Sequence, residues 1–261
     1  ELWDGLQNTN PDAAVLPIFP IMFVSIACGA ISGFHATQSP LMARCMTSER
    51  HGRPVFYGAM ITEGIVALIW AAAATYFFHE NGMEENNASV IVDSITKGWL
   101  GVVGGVLAIL GVIAAPITSG DTAFRSARLI VADFLGMEQK SMSRRLYICI
   151  PMFVVAIGLL LYSLRDADGF NMIWRYFAWA NQTLAVFTLW TITVYLVRSK
   201  KPYWITLIPA LFMTAVCSTY ICIAPEGLAF AHPLSYSIGG VCTLVATIWF
   251  FVWKRRSAQK D

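Results

Sequence analysis

Apolar residues run through the chain in long, continuous stretches that are separated by short polar segments. Seven of these stretches are long enough to cross the roughly 30 Å of bilayer hydrocarbon as helices, which takes about 20 mostly apolar residues. They cover 13–34, 54–78, 99–133, 145–164, 172–197, 203–223 and 234–253. They do not alternate as the strands of a membrane barrel do, and lipid tolerates only helices and closed barrels. The pattern therefore predicts an all-α, polytopic transmembrane helix bundle with seven spans.

Composition supports a membrane protein and excludes other classes. Of the 261 residues, 57% are hydrophobic and 13% are charged, whereas soluble domains carry about 25% charged residues. The net charge of +2 gives no reason to expect nucleic-acid binding. The six cysteines form no C-x-x-C pair, so the sequence predicts neither a zinc site nor a cofactor site.

The basic residues indicate how the chain is oriented. Lys and Arg remain on the cytoplasmic side of inner-membrane proteins, and here they concentrate in alternate segments between the predicted spans. The opposite segments hold only Lys97, Arg165 and Arg175. We therefore expect the N-terminus of this chain to lie outside and its C-terminus to lie in the cytoplasm. The odd number of spans and the start at Glu1 predict that the chain is a segment of a longer protein.

Polar residues and glycines first interrupt the apolar pattern at 29–40. Two glycines, a proline and several hydrogen-bonding side chains predict a helix that unwinds and restarts here, because irregular backbone at membrane depth lines a cavity or is buried in protein. The glycines and polar residues that would line such a cavity are Gly29, Ser32, Gly33, His35, Thr37 and Gln38. Alternatively, the segment is only the cytoplasmic end of the first span with its cap.

A second polar cluster, at 115–125, is predicted to interrupt the long third helix. Its hydroxyls and carboxylate offer hard oxygen ligands of the kind that hold an alkali cation or relay a proton. The predicted ion-coupling residues here are Thr118, Ser119, Asp121 and Thr122. An alternative is that Asp121 caps the cytoplasmic half-helix and pairs with Arg125 one turn further on. The sequence leaves both interpretations open.

Other polar side chains lie within predicted spans. Glu63 is nine residues into the second span, where an ionisable group is costly and marks a pathway or a buried partner. We add it to the predicted ion-coupling group, either neutral or paired with an arginine of the first loop. Asn181 and Gln182, in the fifth span, are weaker candidates, since such amides more often form interhelical hydrogen bonds than bind ligands.

Three ungapped strings carry a family resemblance. They are SGFHATQSP at 32–40, FYGAMITEG at 56–64 and PITSGDTAFRSAR at 116–128. Together they resemble the carbon starvation protein A (CstA) family over most of 15–200. The resemblance implies the C-terminal part of a bacterial inner-membrane secondary transporter that imports pyruvate first and short peptides second, coupled to protons or Na⁺, during carbon starvation.

The resemblance also implies an architecture. CstA proteins are grouped with the superfamily that shares the LeuT-like inverted repeat, so 1–135 would form the core of the second repeat with its broken helices. The segment 136–261 would add C-terminal transmembrane helices. The 29–40 break would face the substrate, so the residues named there are the predicted substrate-binding residues, and its freed N–H groups and half-helix N-terminus would hold an anionic carboxylate. The cluster near Asp121 would occupy the coupling-ion position. Half of each site would come from the missing N-terminal half, so this chain alone would not transport.

Two other functions compete with transport. A membrane subunit or scaffold without transport activity would explain the missing half by partnership. An intramembrane serine protease of the rhomboid type would use Ser32, but Ala30 replaces the glycine of its motif. The distant histidines His79 and His232 lie at external span ends. We therefore expect no enzyme activity.

Overall fold

The structure is a computed structural model, and its described residues are 17–26, 31–82, 88–165 and 167–258. At 88, 89, 115, 116, 118, 167, 168, 170, 171 and 258 only the backbone is described. These described residues are mostly helical, with a short 3₁₀ helix at Glu49–His51 and a π-helix at Arg53–Gly58, and contain no strand, which confirms the all-α fold class. The helices are α1 (Ile18–Ser25), α2 (Phe34–Cys45), α3 (Ala59–Asn81), α4 (Ala88–Phe134), α5 (Met142–Arg165), α6 (Ala167–Arg198), α7 (Trp204–Ile223) and α8 (His232–Ala258).

Within the described ranges, six helical segments are long and apolar enough to cross a membrane. They are Glu49–Asn81, Val90–Phe134, Met142–Arg165, Met172–Arg198, Trp204–Ile223 and His232–Ser257. Each corresponds to one of the predicted spans. The predicted span at 13–34 has no counterpart among them, because α1 ends at Ser25 and α2 begins at Phe34. Its residues 13–16 and 27–30 lie outside the described part of the chain.

Two prolines shape the short helix α1. Pro17 precedes it in an extended conformation, and Phe19 is also extended, with φ −97° and ψ 127°. This is expected because a following proline, here Pro20, disfavours the helical conformation of the residue before it. After Ser25, Ile26 leaves the helical region with ψ 22°. The apolar run is therefore helical only in part.

Helix α4 corrects the prediction of an interruption at 115–125. Its backbone is helical from 102 to 134, and the non-helical residue is Gly101, with φ 65° and ψ −171°. Only glycine adopts this conformation without strain. A proline such as Pro116 is tolerated inside a transmembrane helix, because neighbouring groups and local adjustments satisfy the freed backbone carbonyl. The polar cluster is thus carried on continuous helix.

The chain divides into two compact units, 1–40 with 163–261, and 41–162. In the first unit, α7 packs against α1, α6 and α8. Its core includes Val24 of α1, Ala178 of α6, and Met213, Val216 and Tyr220 of α7. In the second unit, α3 packs on α4. The predicted division at residue 135 stays a prediction.

Candidate functional site

The end of the break between α1 and α2 lies directly on α6. A Cβ atom added at Gly33 would be 2.1 Å from the backbone oxygen of Asn181 and 2.6 Å from the backbone nitrogen of Ala185. No side chain fits in that space, so glycine is required for the approach of the two backbones. Gly33 therefore allows this end of the break to pack against the turn of α6 that contains Asn181 and Ala185.

Asn181 caps α2 from the neighbouring helix. The N–H of Phe34, the first residue of α2, donates to Asn181 Oδ1 at 2.9 Å. Asn181 Nδ2 donates to Ser32 Oγ at 3.2 Å, and Ser32 Oγ also accepts from the Phe34 N–H at 3.2 Å. Because the first N–H groups of a helix have no partner within it, these two side chains stabilise the point where the helix restarts.

Gln182 holds the other end of the break. Its Nε2 donates to the backbone oxygen of Phe23, in the last turn of α1, at 2.9 Å. The side chain is only 1% exposed, and Oε1 has no hydrogen-bond partner among the described residues. Adjacent amides of α6 thus connect to both ends of the break. This confirms the interpretation of Asn181 and Gln182 as interhelical hydrogen-bonding residues, although their position at the break was not predicted.

Five of the six predicted substrate-binding residues lie on or just before the first two turns of α2. His35 Nδ1 is 3.1 Å from the backbone oxygen of Ser32, and Thr37 Oγ1 donates to the backbone oxygen of Phe34 at 2.8 Å. Gln38 is half-buried on the same helix. Gly29 lies outside the described residues. The restart of the helix is confirmed, but its irregular part ends at Gly33 rather than Pro40, because Asn181 and Ser32 cap it there.

Some donors at the N-terminus of α2 are already engaged. The Phe34 N–H binds Asn181, and the Ala36 N–H donates to the backbone oxygen of Gly33 at 2.9 Å. An anion that used the Phe34 N–H would have to replace the amide oxygen of Asn181. Binding of an anion to this N–H would therefore exchange one hydrogen-bond acceptor, Asn181 Oδ1, for another.

The predicted ion-coupling residues lie in the other unit. Asp121 is on α4, and its Oδ2 accepts from Arg125 at 2.6 Å, with both side chains more than half exposed. The pairing of Asp121 with Arg125 is thus confirmed, but the capping interpretation is wrong because α4 is continuous here. Ser119 is exposed and Thr122 half-buried on the same helix, whereas the side chain of Thr118 lies outside the description.

Glu63, the remaining member of that group, is exposed on α3. Across the described ranges, no group of three or more His, Cys, Asp or Glu residues could hold a metal ion.

Known proteins resemble this chain over most of its length. The sequence model of the family described as "Carbon starvation protein CstA" matches residues 8–99 and 86–220. An uncharacterised protein of Haemophilus influenzae is 47% identical over 51% of this chain and 91% of its own length. Proteins named "Peptide transporter CstA" are 28% identical in Mycobacterium tuberculosis, over 77% of this chain and 36% of that protein, and 27% identical in Bacillus subtilis, over 94% and 51%.

The chain spans between about a third and a half of those two peptide transporters. No solved structure matches it.

Proposed function

The chain belongs to the carbon starvation protein CstA family and is a multi-pass membrane protein, and on this basis we propose that it is the C-terminal part of a secondary transporter. Its substrates are short peptides first and pyruvate second. The name "Peptide transporter CstA", which two of the relatives carry, supports placing peptides before pyruvate. The helix break on α6 carries the proposal, because transporters bind substrates at interrupted helices.

In this proposal the substrate carboxylate binds at the start of α2. The positive end of the helix dipole attracts it, and Ser32, His35, Thr37 and Gln38 supply hydrogen-bonding side chains beside Gly29 and Gly33. When the carboxylate takes the Phe34 N–H, the amide of Asn181 is released. Binding is thereby linked to the contact between the break and α6.

The coupling ion binds near Asp121 in the same proposal. A proton or Na⁺ there competes with Arg125 for the carboxylate, and Thr118, Ser119 and Thr122 add hydroxyl oxygens, with Glu63 as a second acid. Occupancy of this site favours one of the inward- and outward-facing states. The other half of the same transporter completes both sites.

The proposed location is the bacterial inner membrane, with the N-terminus of this chain outside and its C-terminus in the cytoplasm. In a background without native cysteines, we expect Asn81→Cys to react with an impermeant maleimide added to intact cells and Gln139→Cys not to react. Basic residues crowd alternate loops, which is the reason for this expectation. If Gln139→Cys reacted and Asn81→Cys did not, the topology would be the reverse of the one proposed. Permeabilised cells, in which both variants should react, provide the control.

Flux through proteoliposomes tests transport itself. We expect the complete encoded protein to accumulate labelled alanylalanine or pyruvate when an inward proton or Na⁺ gradient is imposed, because a secondary transporter uses one gradient to build another. Protein-free liposomes give the background. Correctly folded protein with no flux of either compound would instead support a subunit or scaffold.

A further inference from the structure

A cleft of about 400 Å³ lies beside α1 in the first unit. Its walls come from α1, α6, the last turn of α7 and the start of the loop after α7. Most of the lining is apolar, including Ile18, Ile21, Met22 and Ala178. The volume lies within the range of about 300–1,000 Å³ that is usual for small-molecule sites. Two opposite charges, Arg175 and Glu226, face each other at one side of it.

Glu226 is held inward, although it lies in a loop. Its carboxylate is only 6% exposed, and Oε1 accepts a hydrogen bond from the hydroxyl of Tyr220 at 2.6 Å. The hydroxyl of Tyr176 donates to its backbone oxygen. The loop is fixed from behind as well, because the Leu228 N–H donates to the backbone oxygen of Ile221 at 2.9 Å. Acidic side chains in surface loops usually stay exposed to water, so the burial of Glu226 is unusual.

Arg175 neutralises Glu226 only loosely. Its NH1 is 3.7 Å from Oε2, which is beyond hydrogen-bond distance, and its side chain is 42% exposed. A buried carboxylate requires close donors to offset the loss of water. Tyr220 supplies one donor to Oε1, whereas the nearest cation is too far from Oε2 to donate. The pair can therefore open without breaking a hydrogen bond between its members.

We propose that this cleft is a selection site separate from the start of α2, where peptides bind by their free termini, with the α-ammonium on Glu226 and the carboxylate on Arg175. The inference rests on the proposed peptide transport. A ligand with both charges satisfies both residues, since the ammonium donates to the buried carboxylate and the guanidinium binds the ligand's carboxylate. A simple monocarboxylate satisfies Arg175 alone and brings a second negative charge towards Glu226. The apolar walls accommodate the peptide's side chains.

Binding to the complete encoded protein in detergent tests this assignment. The probes are alanylalanine, N-acetyl-alanylalanine and alanylalanine amide, and calorimetry measures their Kd. We expect wild type to bind the free dipeptide at least about tenfold more tightly than either blocked form. Glu226→Gln should reduce the preference over the acetylated form to about twofold. Arg175→Gln should remove only the preference over the amide.

The matched control is Glu138→Gln, which changes an exposed glutamate with a 67% exposed side chain and should keep both preferences. Tyr220→Phe removes the hydroxyl that orients Glu226 and should weaken the preference for the free amino terminus even if Glu226→Gln fails to fold. Alanylalanine flux with unchanged terminal preferences in both Glu226→Gln and Tyr220→Phe would overturn the cleft assignment alone. Absence of both peptide binding and peptide flux in wild type would overturn the peptide proposal and this inference with it.

Discussion

Gly33→Ala is expected to abolish substrate uptake by the complete protein and to destabilise it by about 3 kcal/mol, the upper end of the usual cost of overpacking. The added methyl group would lie 2.1 Å from a backbone oxygen and 2.6 Å from a backbone nitrogen of α6. A flexible side chain could move away, but here the break itself must leave α6. That movement separates Phe34 from Asn181. Uptake in proteoliposomes and thermal unfolding of the purified protein measure the two effects.

Gly111→Ala is the matched control, since a Cβ at Gly111 meets nothing within 4 Å. In this helical position alanine should be neutral or stabilise by about 0.5–1 kcal/mol. Asn181→Ala should give an intermediate result, because it removes the hydrogen bonds at a cost of about 1–2 kcal/mol but leaves room for the break. Normal uptake and stability in Gly33→Ala would contradict the packing of the break on α6.

Asp121→Asn is expected to eliminate gradient-driven accumulation while substrate exchange continues. The amide keeps the shape of the carboxylate but can neither bind a proton at neutral pH nor provide the charge that attracts a cation. Stability should hardly change, because an exposed i,i+4 ion pair contributes only about 0.3–0.5 kcal/mol. Counterflow of labelled substrate, which needs no net gradient, measures exchange separately from accumulation.

Helix α4 contains its own control for this experiment. Asp93 pairs with Lys97 at 2.7 Å with the same i,i+4 spacing, and both side chains are exposed. Asp93→Asn removes an equivalent ion pair away from the proposed coupling site, so accumulation should persist. If Asp121→Asn also accumulates substrate normally, the carboxylate of Asp121 only forms the ion pair with Arg125 and does not bind the coupling ion.

Six of the seven predicted spans have a long apolar helix as their counterpart, and they were predictable because about 20 apolar residues in sequence leave few alternatives to a membrane helix. The exact limits of the helix break were not, since the first helical N–H of α2 is capped by Asn181, 147 positions away. Local composition marked the region but could not identify this partner. The irregular point of α4 was not predictable either. It lies at Gly101, which adopts a positive φ, and the sequence alone does not place it there rather than in the polar cluster at 115–125.

The burial of Glu226 was not predictable for a similar reason. In the sequence it is an acid between a proline and a glycine, a setting that is typical of a solvated turn. Its burial results from Tyr220 and Tyr176, which come from two different helices. The positions of charged residues in the sequence do not show which acidic side chains become buried when the chain folds.

The adjacency of Asn181 and Gln182 has a mechanical consequence. Successive residues of an α-helix point about 100° apart, and this difference lets Asn181 reach the start of α2 while Gln182 reaches the end of α1. Turning α6 by a single residue would carry both amides away from their partners together. The position of α6 is therefore linked to both ends of the break at once, and a movement that separates one amide from its partner also separates the other.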